Sequence, residues 1–589
     1  MKKLLTIAFL LCSIAAGAQQ FGNEWIDYNK TYYKFKIAVN GLYRIPAETL
    51  AAANLGAVDA AQFQLWRNGV EVPIYTSSGS GALGVGGYIE FWGQMNDGKT
   101  DNALYRLPDQ QLSDAKSLFT DSAAYFLTVN PAGGNKRLIN TSASAPPGAT
   151  PEPYFIYQAD TDFTEQFHLG KSEGTGIGTL YAASIEEGEG WASTEISEGQ
   201  SRTFQQNLYA YTSAGAPDIT IRMNAVGSNE SIRKAQLSVN GNAVFDQSLY
   251  NFGYAKLSKT MPGSILTGGA ESFAVTNVAT VPSRMRVTLV SVTYPRKFNF
   301  GGAANFAFTL PARGSGYYLE ISNFGFSGGA PVLYDRANGR RYTVDATNPA
   351  LLKIFLPAAT QAQDLVLVSQ AAANIRQVQG LESRTFINYG AAQNQGNYLM
   401  ITSNVLLSGS NGAQPVNAYR DYRASAAGGG YNAKIYLADQ LTDQFAYGIQ
   451  YHSLLVRNFL RFARSKFSTP PKLAFLIGKG VSYVSSRTGA SNELAPQLSR
   501  LNLVPTFGYP ASDVLLAAEG SSSQPLTPIG RLSVVNGDEV TVYLDKIKQY
   551  EQHLSATPPE IGESAWKKTA IHIAGANDQA TQDVLAGHL

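Results

Sequence analysis

Cysteine is nearly absent: Cys12 is the only one in 589 residues. Lys2-Lys3, the apolar run Leu4 to Ile14 and Ala16-Gly17-Ala18 read as a cleaved secretory signal peptide over 1–18. Its removal takes Cys12 away, which excludes disulfides, thiolate metal sites and a cysteine nucleophile from residues 19–589. Leu11 stands where lipoprotein processing wants a small residue, so Cys12 is not a lipid anchor. The apolar run is well short of the roughly 20 residues that span a bilayer. Charge is sparse and balanced. Charged residues are 15% of the chain, with 46 Lys and Arg against 44 Asp and Glu, and losing Lys2 and Lys3 brings the formal charge from +2 to neutrality. This excludes nucleic acid or an anionic membrane surface as the main partner.

Motifs for several chemistries are also missing. Gly478-Lys479-Gly480 opens a phosphate loop only with glycine at 473 and a hydroxyl residue at 480, and a dinucleotide fingerprint only with glycine at 483; the chain has Leu473, Gly480 and Tyr483. No H-E-x-x-H occurs, so an ordinary zinc peptidase is unsupported, and no serine sits in the strand-to-helix elbow of a serine hydrolase. Glu186, Glu187 and Glu189 ahead of Trp191 could serve as an acid-base pair or bind calcium. No partner residues with ligand spacing follow, so a solvated acidic turn is the expected reading, and no cofactor is expected. His168 stands alone, as a packed domain-interface histidine would.

What is present is β-rich. Gly 56, Tyr 32 and frequent strand-length runs suit an exported protein of three or four domains. Residues 19–123 read as a small β domain. Asn40-Gly41 and Asn68-Gly69 are hairpin turns, and a short helix is expected from Pro46 to Ala53. Residues 124–392 continue as strands without a helix of normal length, with Asn240-Gly241 as one more hairpin, so one or two β-sandwiches are expected.

The pattern changes over 393–589. Tyr398 to Thr402 is a short apolar run of strand length, Ala433 to Leu437 is a second strand, and Leu473 to Ile477 is apolar throughout, as a strand covered on both faces should be. Helical stretches alternate with them: Pro415 to Ser425, a long one carrying Ile449, His452, Leu455, Val456, Phe459, Phe462, Ala463 and Phe467 on one face, and one carrying Val540, Tyr543, Leu544, Ile547, Tyr550 and Leu554. A fourth strand is expected at Thr569 to Ala574, followed by a helix at Gln579 to Ala586. The fold class is therefore multidomain: β-rich and β-sandwich regions, then a three-layer α/β unit whose mainly parallel sheet should carry its site at the carboxyl ends of the strands.

The order of motifs in that unit resembles the gingipain-like cysteine peptidases of Bacteroidetes. The first strand with its trailing Ser403, Val504-Pro505-Thr506-Phe507, Ser512-Asp513, Ile529-Gly530-Arg531, the Asp545-Lys546-Ile547 and Tyr550-Glu551 helix and Trp566-Lys567-Lys568 all follow that pattern. Gly22-Asn23-Glu24-Trp25-Ile26, Asn40 to Ile45 and Gly188-Glu189-Gly190-Trp191 resemble its PorU-type members, sortases of the type IX secretion system. The resemblance implies a caspase-like sheet on which a histidine-activated thiolate attacks a peptide carbonyl beside backbone N–H donors. It implies substrates carrying C-terminal sorting domains, partners among outer-membrane secretion components, and a place in the periplasm or at the outer-membrane surface. It also implies a catalytic histidine in a Gly-His-Gly loop and a later cysteine, both expected beyond Leu589. Gly587-His588 lacks the second glycine, and Lys479 stands where relatives have an acidic residue. Asp513 and Ser403 are the candidate substrate-cleft residues, with loop or helix capping the competing role for Asp513. The incomplete α/β domain is expected to be inactive and poorly stable alone. The alternative is a non-catalytic exported surface or scaffold protein that keeps the fold. His452 is expected on a buried helix face, His553 at a helix end and His572 within a strand.

Overall fold

The computed structural model describes residues 21–142, 144–175, 178–488 and 495–555, with 562, 565, 568–571 and 578–587 beyond. The signal-peptide segment, His572 and His588 lie outside the described residues.

Two sheets form the amino-terminal body. Thr31–Ile37 lies between Glu382–Thr385 and Ala123–Val129 in one of them, and Gly41–Pro46 lies between Ile375–Gln377 and Tyr88–Gly93 in the other. Asn40-Gly41 is thus not a hairpin turn: it carries the chain from one sheet to the other, because each flanking strand finds a longer partner elsewhere. Asn68-Gly69 and Asn240-Gly241 do close two-residue hairpins. Both residues of each turn have positive φ, as a turn matched to strand twist requires. The expected short helix is Ala47–Ala52. Strand pairing crosses the linear division of the chain, since segments near 125 and 380 complete the amino-terminal sheets.

The middle of the chain holds two sandwiches with separate apolar cores, one around Ile221, Leu237, Phe273 and Val290, the other around Phe300, Leu319, Leu333 and Leu365. Among the described residues this region has strands and short 3₁₀ turns but no α-helix.

The carboxyl-terminal unit is a four-stranded sheet, all parallel, in the spatial order Ala433–Leu437, Tyr398–Thr402, Leu473–Ile477, Ile529–Leu532. Side-chain alternation divides the central strand between two cores. Leu399 and Ile401 face helices Ala438–Phe445 and Leu454–Lys466, while Tyr398 and Met400 face Pro415–Ala424 and Gly537–Ser555. This is the three-layer arrangement read from the apolar runs. Ile401→Val removes one methylene from this packing, and an unfolding free energy about 1 kcal/mol lower is the expected result of denaturant titration.

Three expectations are corrected. The fourth strand is Ile529–Leu532, where Gly530 and Arg531 break the apolar pattern that marks Tyr398–Thr402 and Leu473–Ile477. Thr569 to Ile571 is not strand, and positions 572–574 lie outside the described residues. His452 precedes its helix rather than lying on it. Tyr447, Gly448 and Tyr451 all have positive φ and break the helical path before Leu454.

Candidate active-site cleft at the carboxyl edge of the parallel sheet

Each strand of the parallel sheet ends at the same edge, and the segment after each turns there. Ser403 follows Tyr398–Thr402, and its Oγ accepts from the Val405 amide at 3.4 Å, capping a 3₁₀ turn. Leu473–Ile477 runs into Gly478-Lys479-Gly480, where the Lys479 carbonyl accepts from the amides of Leu503 (2.9 Å) and Val504 (3.2 Å).

Arg531, on the edge strand, fixes these turns in place. Its Nε and Nη2 each donate at 2.7 Å to the Asp513 carboxylate, and its Nη1 donates at 2.7 Å to the carbonyls of Gly478 and Val504. Asp513 also accepts from Thr506 Oγ1 at 3.0 Å. Asp513 is therefore held in a two-pronged charge-assisted pair that folds the 504–513 loop back onto the sheet. It also occupies the N-cap position of the 3₁₀ turn Val514–Leu516, though its side chain does not cap that turn.

Above this edge lies a cleft of about 240 Å³. Ser403, Asp439 and Asn502 line it from the α/β unit, and Lys34, Lys36 and Arg384 line it from the amino-terminal sheet. The two lysines are two apart in one strand, so they share a face. Beneath them Asp443, on the second helix of the unit, is buried and takes the Lys34 ammonium and, at 3.0 Å, Arg384 Nε. Burial pushes the Asp443 carboxyl up, against the pull of Lys34 and Arg384. Burial and the charge of Lys34 push Lys36 down. Gly448 lets the chain turn close under this sheet, at φ 75°, where a Cβ would come within 2.5 Å of Ala124 Cβ. The cleft therefore offers cationic and amide groups suited to a peptide's carbonyls and carboxylates. Sequence reasoning missed Lys34, Lys36, Arg384, Asp439 and Asp443. The period-two spacing of the lysines was the available signal.

Ser403 lines this cleft. Asp513 does not; it sits behind the Val504-Pro505 turn, bound to Arg531.

The described histidines lie away from the cleft or are already engaged. His452 Nδ1 accepts from the Leu454 amide at 3.2 Å, so Nε2 carries the proton and donates to Asp101 at 2.9 Å; both side chains are fully buried at the junction with the amino-terminal body. His553 falls in the last turn of Gly537–Ser555. His168 is buried and donates from Nδ1 to the Gly188 carbonyl at 3.2 Å, and burial pushes it down to about 4. The unfolded chain protonates this ring near its ordinary value of 6.5, whereas the folded chain resists until about 4, so stability falls as pH drops through that window. The loss reaches roughly 3 kcal/mol at the acid end. Denaturant midpoints of wild type and His168→Gln measured from pH 7 to 4 should converge as the pH falls.

The acidic cluster is not solvated, contrary to expectation. Glu186 and Glu189 are buried: Glu186 accepts from Arg106 at 3.0 Å and Ser184 at 2.6 Å, and burial pushes Glu189 well above the carboxylate range. The turn packs inward instead of into water, through Ile185, which is bridged to Tyr105 in the shared core. Among the described residues no group of three metal-ligating side chains occurs. The spacing G-x-S-x-G is present at 170–174 and 325–329, but Ser172 begins a short hairpin strand and Ser327 lies in a bend, so neither opens a helix.

Comparison with known proteins agrees with this geometry. Residues 391–588 match the family model described as peptidase family C25. No curated protein matches the chain in sequence. Dimeric latent PorU from Porphyromonas gingivalis, a crystal structure, is similar in fold with a TM-score of 0.56 at 14% identity, over 96% of this chain and 54% of that one. The present chain thus spans about half the length of that structure. A CBM36-1 domain of a multidomain xylanase from the hindgut metagenome of Trinervitermes trinervoides overlaps 23% of this chain and 96% of its own length, at 8% identity and a TM-score of 0.16, too little to bear on function. By its parallel sheet and its family match, the chain carries a peptidase family C25 domain, of the gingipain type, at residues 391–588.

Proposed function

We propose that this protein is a gingipain-like cysteine endopeptidase of the PorU sortase type. In this reading it is exported through a cleaved signal peptide and acts at the outer-membrane surface on secreted proteins that carry C-terminal sorting domains, beside other components of the type IX secretion system. The observation that carries the reading is the family match over 391–588 on a sheet whose carboxyl edge opens into a cationic cleft. The PorU-like fold over 96% of the chain supports the sortase type.

The chemistry expected of such a site is acyl transfer. A thiolate attacks the scissile carbonyl, the amine leaves with a proton from the histidine, and water or a second amine resolves the acyl-enzyme. Residues 19–589 hold no cysteine, so the thiol is supplied from outside them and this stretch is inactive by itself. Its contribution is the floor of the cleft, with Arg531 and Asp513 holding the turns and Lys34, Lys36 and Arg384 facing the bound chain.

The thiol-free stretch also favours a second reading, an exported surface or scaffold protein that keeps the fold for interactions alone. Incubating the natural-length protein, purified from its source, with a cargo protein bearing a sorting domain separates the two. Release of the sorting domain supports the peptidase, and an intact cargo supports the scaffold.

A further inference from the structure

On the far side of helix Leu454–Lys466 from the sheet, a second cavity of about 170 Å³ lies between that helix, Leu104 and Arg106 of the amino-terminal body, Ser184 of the buried hairpin, and the loop 515–523. Arg457 reaches into it and is only 4% exposed. Its Nη1 donates to the Ala103 carbonyl at 3.2 Å, its guanidinium lies 5.4 Å from the centre of the Phe507 ring, and its Nε is buried with no hydrogen-bond partner.

No carboxylate pairs directly with this charge; Glu519 attracts it only from a distance. Among the described residues none lies within 4 Å of the Arg457 guanidinium. Glu519 stands 3.9 Å from Arg461 and is largely in water, and Glu186 is taken by Arg106 and Ser184. A buried guanidinium with an unpartnered N–H and no directly paired carboxylate is unfavourable by itself, and an anion in the cavity reduces that penalty. Burial and the nearby Arg461 also push Arg457 down, to about 10, against the pull of Glu519.

The remaining walls add donors. Arg106, whose Nη1 donates to Glu186, lines the opposite side, half in water, and Ser521 to Ser523 line the rim. Guanidinium forks on two sides with hydroxyls between them offer more donors than one carboxylate can use, and they suit the several oxygens of a tetrahedral anion. The volume admits one such group and little more.

We infer that this cavity is a binding site for a phosphate-class oxyanion, either the free ion or the phosphate group of a monoester, seated on Arg457 and Arg106. The site joins segments near 104, 184, 457 and 520, so an occupied site also ties the amino-terminal body to the C25 domain. This inference is independent of the peptidase reading.

The test is calorimetric titration of the full chain with inorganic phosphate and with glucose 1-phosphate, against chloride at equal ionic strength, alongside thermal unfolding. One saturable site and a Tm rise of about 3–5 °C at a hundredfold excess over Kd are expected, with no rise in chloride. Arg457→Gln should weaken binding at least about tenfold, the equivalent of one charge-assisted hydrogen bond. Should that variant fold poorly, Ser522→Asp places a carboxylate at the rim; it should raise the Tm without added anion and abolish the response to phosphate. Tighter binding of the ester assigns the source to a monoester, and tighter binding of the free ion assigns it to inorganic phosphate. No saturable binding of either by wild type, unchanged affinity in Arg457→Gln, or an undiminished phosphate response in Ser522→Asp overturns the inference.

Discussion

Replacing Asp443 with alanine should lower the unfolding free energy by about 3–5 kcal/mol, because it strands the Lys34 ammonium, largely buried at the base of the cleft, without its counter-charge. The carboxylate sits on a helix of the C25 domain, whereas both its cations, Lys34 and Arg384, come from the amino-terminal sheet. The contact therefore holds two bodies together, and its loss should also loosen the roof of the cleft. Burial pushes the Asp443 carboxyl up, against the pull of Lys34 and Arg384. A buried pair of that kind is weak as a net source of stability but damaging to break on one side. The Lys34→Met, Asp443→Leu double variant should accordingly recover most of what Asp443→Ala loses, as read by denaturant titration of the three proteins. A double variant as unstable as the single one would show that shape, rather than charge, governs the contact.

Arg531→Ala is expected to have the other large effect, about 3–4 kcal/mol, because one side chain satisfies a carboxylate through two hydrogen bonds and the carbonyls of Gly478, Val504 and, at 3.2 Å, Pro505. Its removal leaves the Asp513 carboxylate and three chain-turn carbonyls without their donor at the edge of the sheet where the cleft opens. Arg531→Lys keeps the charge but not the planar fork, and should restore less than half of the loss. Hydrogen exchange distinguishes this from general destabilisation: amides of the 503–516 segment should lose protection in Arg531→Ala well before those of Leu473–Ile477. Uniform loss across both segments would contradict the assignment.

What could be read from the sequence follows from how far apart the interacting residues are. Two strands of the parallel sheet, Tyr398–Thr402 and Leu473–Ile477, were legible as five-residue apolar runs, the pattern imposed by helices on both faces, and Ala433–Leu437 was legible despite Lys434 from its strand length and its place between two helical stretches. The fourth was not, since Gly530 is exposed and Arg531 turns its guanidinium inward to backbone carbonyls, which no periodicity encodes. Asn68-Gly69 read correctly as a hairpin because its two strands pair with each other, and Asn40-Gly41 misled because the same dipeptide can join strands of different sheets. Ser403 was found through the family resemblance, in which it trails the first strand. The cationic roof was not found, because Lys34 meets Asp443 across some four hundred residues of chain that only folding brings together. Glu189 has the composition of a surface turn, yet the apolar Ile185 beside it carries the hairpin into the shared core.

The proposed function makes residues 391–588 the scaffold of a cysteine peptidase whose thiol lies outside residues 19–589. It is tested most directly by labelling the natural-length protein with an electrophilic peptidyl ketone and locating the modified residue by mass spectrometry, with cargo cleavage followed in parallel. One cysteine outside residues 19–589 should carry the label, and cleavage of the sorting domain should fall in step with labelling. Label on Ser403 or another residue of this stretch, or cleavage that persists after every thiol is blocked, would contradict the account.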